Sequence, residues 1–303
     1  MSIQIPTNSG VVVCYGAGVD STAMLIALRD QGIRPDVITF ADTGGEKPET
    51  YAYARSMDAW LLRQGFPTIT WCAKKTLDST PYDDLAGNCS DNETLPSLAF
   101  GMKSCSIKWK QLPQDYQIKG CFSGPNKTPP HPIWLKSQES GVKVVKLIGY
   151  DNSPADIRRS KRVKTEDADF LYAYPLQDLE WNRADCIARI IEEGLPVPAK
   201  SSCFFCPAAQ KWELFELAGK HPDLFMQALQ IEQRAMTGKH SRWPQDDCVF
   251  DDEWLEFVSQ PSSGRRLRSP SDLAVDSPGA GGLVKRGSST GRVANLLAIK
   301  MNY

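Results

Sequence analysis

The sequence predicts an α/β protein: an open, parallel, five-stranded sheet with helices on both faces, a loop-rich insertion and a helical C-terminal appendage. Three observations predict it. Short apolar runs read as strands buried on both faces, stretches of helical period lie between them, and the connections are short. Strands and helices alternating in this way pair in parallel through right-handed crossovers.

The first strand is VVVCY, residues 11–15. STAMLIALRD (21–30) follows with Met24, Leu25 and Leu28 at helical spacing, and Gly32 ends that helix. DVITF (36–40) is the second strand, residues 47–64 form a long amphipathic helix, and TITWC (68–72) is the third strand. The pattern resumes with VVKLIG (144–149), FLYAY (170–174) and the helix NRADCIARIIEEG (182–194). Residues 75–140 read as an insertion over the sheet's edge or its ligand face, and the glycine and prolines of CFSGPNKTPPHPIW (121–134) argue against regular elements there. Residues 211–236 are helical with one break at His221-Pro222, and from residue 260 the chain holds too little apolar surface to order itself. The expected divisions are an α/β domain over 1–210, a helical appendage over 211–260 and a flexible basic tail over 261–303.

With 303 residues, 41% hydrophobic and 23% charged, the chain suffices for one large core and an appendage. No apolar run approaches the roughly 18 residues of a membrane span, and MSIQIPTNSG lacks the layout of a signal peptide, so a cytoplasmic protein with no membrane partner is expected. Net charge is −1, yet residues 264–303 carry seven Lys or Arg against two Asp, leaving 28 basic and 34 acidic residues upstream. The acidic body argues weakly against a broad nucleic-acid surface and the tail weakly for one. Nine cysteines in such a chain read as metal ligands, redox groups or core, not as a disulfide framework.

VVVCYGAGVDST (11–22) places a glycine-rich turn between a strand and a helix. Backbone N–H groups there can approach an anion while the helix N-terminus adds partial positive charge, which makes a phosphate site. It lacks the Gly-Lys-Ser/Thr of the lysine-containing phosphate loop and the final glycine of the dinucleotide fingerprint. An ordinary strand-to-helix turn capped by Asp20 or Ser21 is the plainer alternative.

Gly16-Ala17-Gly18-Val19-Asp20-Ser21-Thr22 resembles the PP-loop, usually Ser-Gly-Gly-x-Asp-Ser, of N-type ATP pyrophosphatases and the PAPS reductase family. It departs at Gly16 and Ala17. FADTGGEKPET (40–50) resembles that family's Asp-Thr-Gly...Pro-Glu-Thr signature, SCSIKWKQLP (104–113) its Cys-x-x-[basic]-Lys-x-x-Pro segment, and IGYDNSPADIRRS (148–160) its strand and Arg-Arg stretch. YPLQDLEW and SSCFFCPA (201–208) resemble phage and bacterial members, including the DndC-type enzymes of DNA phosphorothioation.

The resemblance implies a Rossmann-like sheet of the adenine nucleotide alpha hydrolase type. It implies nucleotide contacts from Tyr15, Gly16, Ala17, Gly18, Val19, Asp20, Ser21, Thr22, Asp42, Thr43, Gly44 and Glu49, with the Ser21 and Thr22 hydroxyls donating to phosphate. Asp20, Ser21, Lys110, Arg158 and Arg159 would carry catalysis, ATP would be the nucleotide, and Mg²⁺ would be positioned by Asp20 or Asp42. Cys105, Cys203 and Cys206 would hold a [4Fe–4S] cluster, with Cys89 or Cys121 as fourth ligand; zinc is the rival, and thiolates do not decide between them. Read without the resemblance, Cys-x-x-Cys could equally be a redox pair, Glu49 good first-turn helix chemistry, and Arg-Arg-Ser-Lys-Arg a solvated face.

The implied activity is ATP-dependent adenylation of an acceptor for transfer of sulfur or another nucleophile, with nucleic acid or a nucleotide as acceptor. Sulfonucleotide reduction and FMN adenylyl transfer are alternatives, as is a non-catalytic nucleotide- or nucleic-acid-binding protein. No Glu-Cys-Gly-x-His follows Cys206, and Ser104-Cys105 stands where APS reductases have two cysteines, which weakens reduction. Cys14, Cys72 and Cys186 read as core, Cys248 as surface or core, and His131, His221 and His240 receive no role.

Overall fold

In the computed structural model, residues 2–96, 103–162 and 167–238 are described. The end of the expected appendage, the basic tail, His240 and Cys248 lie outside them.

Five strands form the sheet: β1 (Val11–Tyr15), β2 (Val37–Asp42), β3 (Ile69–Ala73), β4 (Val144–Ile148) and β5 (Phe170–Ala173). They are all parallel, in the order β3-β2-β1-β4-β5. Helices α1 (Val19–Asp30), α2 (Pro48–Arg63) and α8 (Arg183–Glu192) supply apolar side chains to one face, where Met24, Leu25, Met57, Leu61 and Ile190 pack with Val13, Ile38, Phe40 and Leu147. On the other face α4 (Leu112–Lys119) and α5 (Pro132–Ser140) bring Ile118, Ile133 and Trp134 against Val12, Val37, Val144 and Phe170. Burial on both faces of the three central strands explains why they read as largely apolar runs instead of alternating.

The second face also buries polar groups. Lys146 of β4, 2% exposed, is ion-paired with Asp115 of α4, and its ammonium lies 3.7 Å from the Phe170 ring centroid. Gln114, also on α4, bonds the Thr39 hydroxyl of β2 at 2.6 Å. Burial pushes the Cys14 thiol up and the Cys72 thiol up to about 12, and Cys186 of α8 is likewise pushed up to about 12, as unreactive core thiols would be.

The insertion is more helical than its composition suggests. A π-helical turn (Ser106–Gln111) runs into α4, and α5 begins inside the proline-rich run 121–134. Pro113 and Pro132 sit in the first turns of their helices, where a fixed φ is suitable and a missing N–H costs nothing, so these prolines start helices instead of forbidding them. His131 caps α5, its Nδ1 accepting from the Ile133 N–H at 3.3 Å.

The remaining helices are α3 (Leu85–Asp91), α6 (Pro154–Ser160), α7 (Pro175–Asp178), α9 (Lys211–Lys220) and α10 (Pro222–Thr237). The chain divides into two units, residues 1–85 with 98–203 and residues 86–97 with 204–303, so the division falls inside Cys-x-x-Cys. Within the described part of the second unit α9 packs on α10, broken at His221-Pro222, around Leu214, Leu217, Phe225 and Leu229. Among the described residues no helix is long and apolar enough to cross a membrane.

Candidate functional site

In the strand order, β1 has β2 on one side and β4 on the other, so the connections leaving β1 and β4 diverge and open a crevice at their carboxyl ends. The loop 16–18 stands there. Gly18 caps α1 without a side chain, and Ser21 at the third helical position reaches back: its Oγ accepts from the Gly16 N–H at 3.2 Å and the Gly18 N–H at 3.3 Å, and lies 3.1 Å from the Gly18 carbonyl oxygen. Ala17 holds φ +52°, a left-handed conformation usually left to glycine. The start of α1 is pressed against the end of β4, because a Cβ on Gly149 would fall 2.8 Å from the backbone nitrogen of Ser21.

Side chains flanking the loop point elsewhere. The Tyr15 hydroxyl, pushed up by burial, lies 3.2 Å from the Thr22 hydroxyl, and both residues are buried along with Val19. The Thr22 hydroxyl is thus engaged inside the core.

Three carboxylates meet beside the loop. Asp20 of α1, Asp151 just beyond β4 and Asp156 of α6 have ligand oxygens within 4.8 Å of one another, and they are the group of this kind found among the described residues. Burial pushes Asp20 up; Arg183, whose Nη1 donates to both its oxygens at 2.8 and 2.9 Å, partly offsets this, while Asp151 and Asp156 add to it. Asp156 is also pushed up by burial and by Asp151, against its partner Arg159 at 2.7 Å. Converging oxygen ligands that repel one another fit a hard cation such as Mg²⁺. Arg159 is thus engaged at the edge of this group, whereas Arg158 is exposed. Sequence reasoning singled out neither Asp151, Asp156 nor Arg183; the available signal was the position of Asp151, directly after a parallel strand.

A second cluster lies after β2. Asp42 Oδ1 accepts from the Gly44 N–H at 2.9 Å and from the Tyr51 hydroxyl at 2.7 Å, so this carboxylate shapes its own turn. Gly44 holds φ +69°, and a Cβ there would lie 2.3 Å from Cβ of Asp84. The Thr43 hydroxyl is 3.4 Å from Sγ of Cys203, and Glu46 forms an isolated bridge with Cys203. Glu46 is 5% exposed; its Oε1 accepts from Lys110 Nζ at 2.7 Å and lies 3.9 Å from Sγ of Cys203, while its Oε2 is buried with no hydrogen-bond partner among the described residues. Burial would lower the Lys110 ammonium, but Glu46, then Cys203 and Cys105, hold it above its ordinary value. Lys110 sits on the π-helical turn that begins after Cys105, a distortion common at functional sites. Glu49 is half-buried in the first turn of α2.

Cys105 and Cys203 thus share the surroundings of one lysine. Cys206 belongs to the second unit, half-buried in a turn closed by the Ala209 N–H on its carbonyl at 2.9 Å. Cys89 is buried in the second unit, and the Cys121 thiol donates to the Ser123 carbonyl at 3.3 Å. Of the cysteines read as cluster ligands, Cys105 and Cys203 belong to the first unit and Cys206 to the second.

No family model matches the chain, and no curated protein matches it. Among solved structures the chain is similar to the U34-tRNA thiolase NcsA from Methanococcus maripaludis with its [4Fe-4S] cluster, at 12% identity and TM-score 0.39, over 75% of this chain and 71% of that one. A likeness at this level lends no weight to a functional reading.

Proposed function

We propose that the chain is an ATP-dependent adenylating enzyme, which binds the phosphates of ATP on the loop 16–21 and activates an acceptor belonging to nucleic acids or nucleotides. One observation carries the reading: the glycine-rich turn stands at the topological switch point with Asp20, Asp151 and Asp156 converging beside it.

In the proposed reaction an acceptor oxygen attacks the α-phosphorus, the bond from that phosphorus to the bridging α–β oxygen breaks, and pyrophosphate leaves with the bond's electrons. A nucleophile such as sulfide then displaces AMP from the adenylated acceptor. Backbone N–H groups of the loop would bind phosphate oxygens, and the Ser21 hydroxyl would exchange its bonds within the loop for one to phosphate. Arg158 and Arg159 would stabilise charge on the nucleotide, as guanidinium forks do well. Mg²⁺ held by Asp20, Asp151 and Asp156 would screen the phosphates and leave Arg183 free to turn toward them. Lys110, held charged by Glu46, would serve the leaving phosphates or the incoming nucleophile.

The test is pyrophosphate release from ATP with Mg²⁺ and candidate nucleic-acid and nucleotide acceptors. Asp20→Ala and Ser21→Ala are each expected to lower the rate on the order of 100-fold, and unchanged release in both would refute the site.

A further inference from the structure

We propose that single-stranded nucleic acid docks on a face made by Tyr150, Tyr174, Arg158, Lys161 and Arg162, beside the phosphate loop. The proposal names the acceptor of the reaction above; it rests on that reading for the chemistry but not for the binding.

β4 and β5 are neighbours, and each is followed at its carboxyl end by a tyrosine. Tyr150 and Tyr174 lie parallel, ring centroids 5.7 Å apart and planes within 5°, and both are half-buried. The Tyr174 hydroxyl donates to the Ser160 carbonyl at 3.4 Å, tying this pair to the end of α6. There the chain exposes four cations within five residues: Arg158, Arg159, Lys161 and Arg162. Arg159 answers Asp156, but no acidic side chain among the described residues pairs with the other three. Among the acidic groups of the site itself, Asp20 and Asp156 already have guanidinium partners.

A flat aromatic pair bordered by unpaired cations matches a ligand with alternating π-faces and phosphates, which is a polynucleotide. The strand must be single, because a base in a duplex shows only its edge and cannot lie on a tyrosine. The surroundings agree: a body about 6 units negative repels a long duplex, whereas a short strand needs only a local cationic footprint. The same edge of the sheet carries the loop after β1, so a base resting here lies on the side where the α-phosphate is proposed to sit.

The test is fluorescence anisotropy of the full chain with a labelled single strand of about 12 nucleotides, as RNA and as DNA, against a duplex of equal length. Three to four phosphate contacts predict an affinity that falls roughly 20- to 50-fold between about 50 and 200 mM salt. Lys161→Glu/Arg162→Glu should lose at least about tenfold, and Tyr174→Leu about 5- to 100-fold, with Tyr174→Trp restoring binding. Binding unaltered by these substitutions would place the nucleic acid elsewhere, the basic stretch 264–303 included, and overturn the proposal. So would tighter binding of the duplex, or failure of Tyr174→Trp to recover what Tyr174→Leu loses. ATP binding, measured in parallel, should be the same in Lys161→Glu/Arg162→Glu as in the unaltered chain. If no form binds ATP while the strand still follows this pattern, the adenylation reading falls and the docking face stands.

Discussion

Helices α1 and α8 lie side by side and are joined by ion pairs at both ends, yet the two ends differ in kind. At one end Arg29 and Arg189 bind Asp30 and Glu193, and Glu193 also accepts from Trp60 Nε1 at 3.1 Å. Hydrogen bonds from Arg29 hold the Glu193 carboxyl below its ordinary value, and for Asp30 the Arg29 and Arg189 guanidiniums outweigh a burial that would raise it. At the other end Arg183 meets Asp20 and does not win: burial and two neighbouring carboxylates leave Asp20 pushed up. One end is a clamp whose charges satisfy each other, and the other holds negative charge that wants a further cation. Sites kept against the protein's own stability are where function is expected.

The largest expected effect breaks the second end outright. Gly149→Ala would drive a methyl into the Ser21 backbone, with no flexible side chain to yield, at a cost of about 3 kcal/mol or more; chemical denaturation should show it, together with loss of ATP binding. Glu193→Gln tests the clamp and should cost about 1–2 kcal/mol at neutral pH. Because the Glu193 pKa is lowered on folding, its contribution is complete above the ordinary glutamate range and lost as pH falls through the folded value. Denaturation curves of the variant and the unaltered chain should therefore converge in acid. Asp156→Asn should act in the opposite sense, stabilising the chain at neutral pH by roughly 0.5–1 kcal/mol. The Asp156 pKa is raised on folding, so that gain should shrink as pH falls and the native carboxyl takes up its proton. Thermal melts with and without Mg²⁺ should show metal stabilisation in the unaltered chain and less in Asp156→Asn. Ala17→Gly should be the smallest change, within about 1 kcal/mol, since relief of left-handed strain is offset by lost methyl burial and added unfolded-state entropy. A melting temperature raised by more than this allows would mean that the strain at Ala17 is larger than a single residue's.

The sheet was legible because its three central strands are buried on both faces and read as largely apolar runs, and because the glycine turn follows the first of them. The insertion was not, since its helical elements run to only six to nine residues, too short to show a period, and Pro113 and Pro132 sit in first turns. Asp42, read as a metal or nucleotide group, also holds Gly44 and Tyr51 through Oδ1, and local turn chemistry of this kind is hidden until the backbone is known. The carboxylate group was legible only at Asp20: Asp151 and Asp156 lie close together in sequence but far from Asp20. The Glu46–Lys110 pair, 64 residues apart, escaped likewise, although Lys110 itself was legible by its segment.

The buried Lys146–Asp115 pair has a mechanical consequence. It fastens the strand that leads to Gly149 and Asp151 to the helix that continues from Lys110, and Gln114 repeats the fastening through Thr39. The strand that leads into the carboxylate group and the helix that continues from the lysine–thiol cluster are thereby tied to one another through the buried side of the sheet.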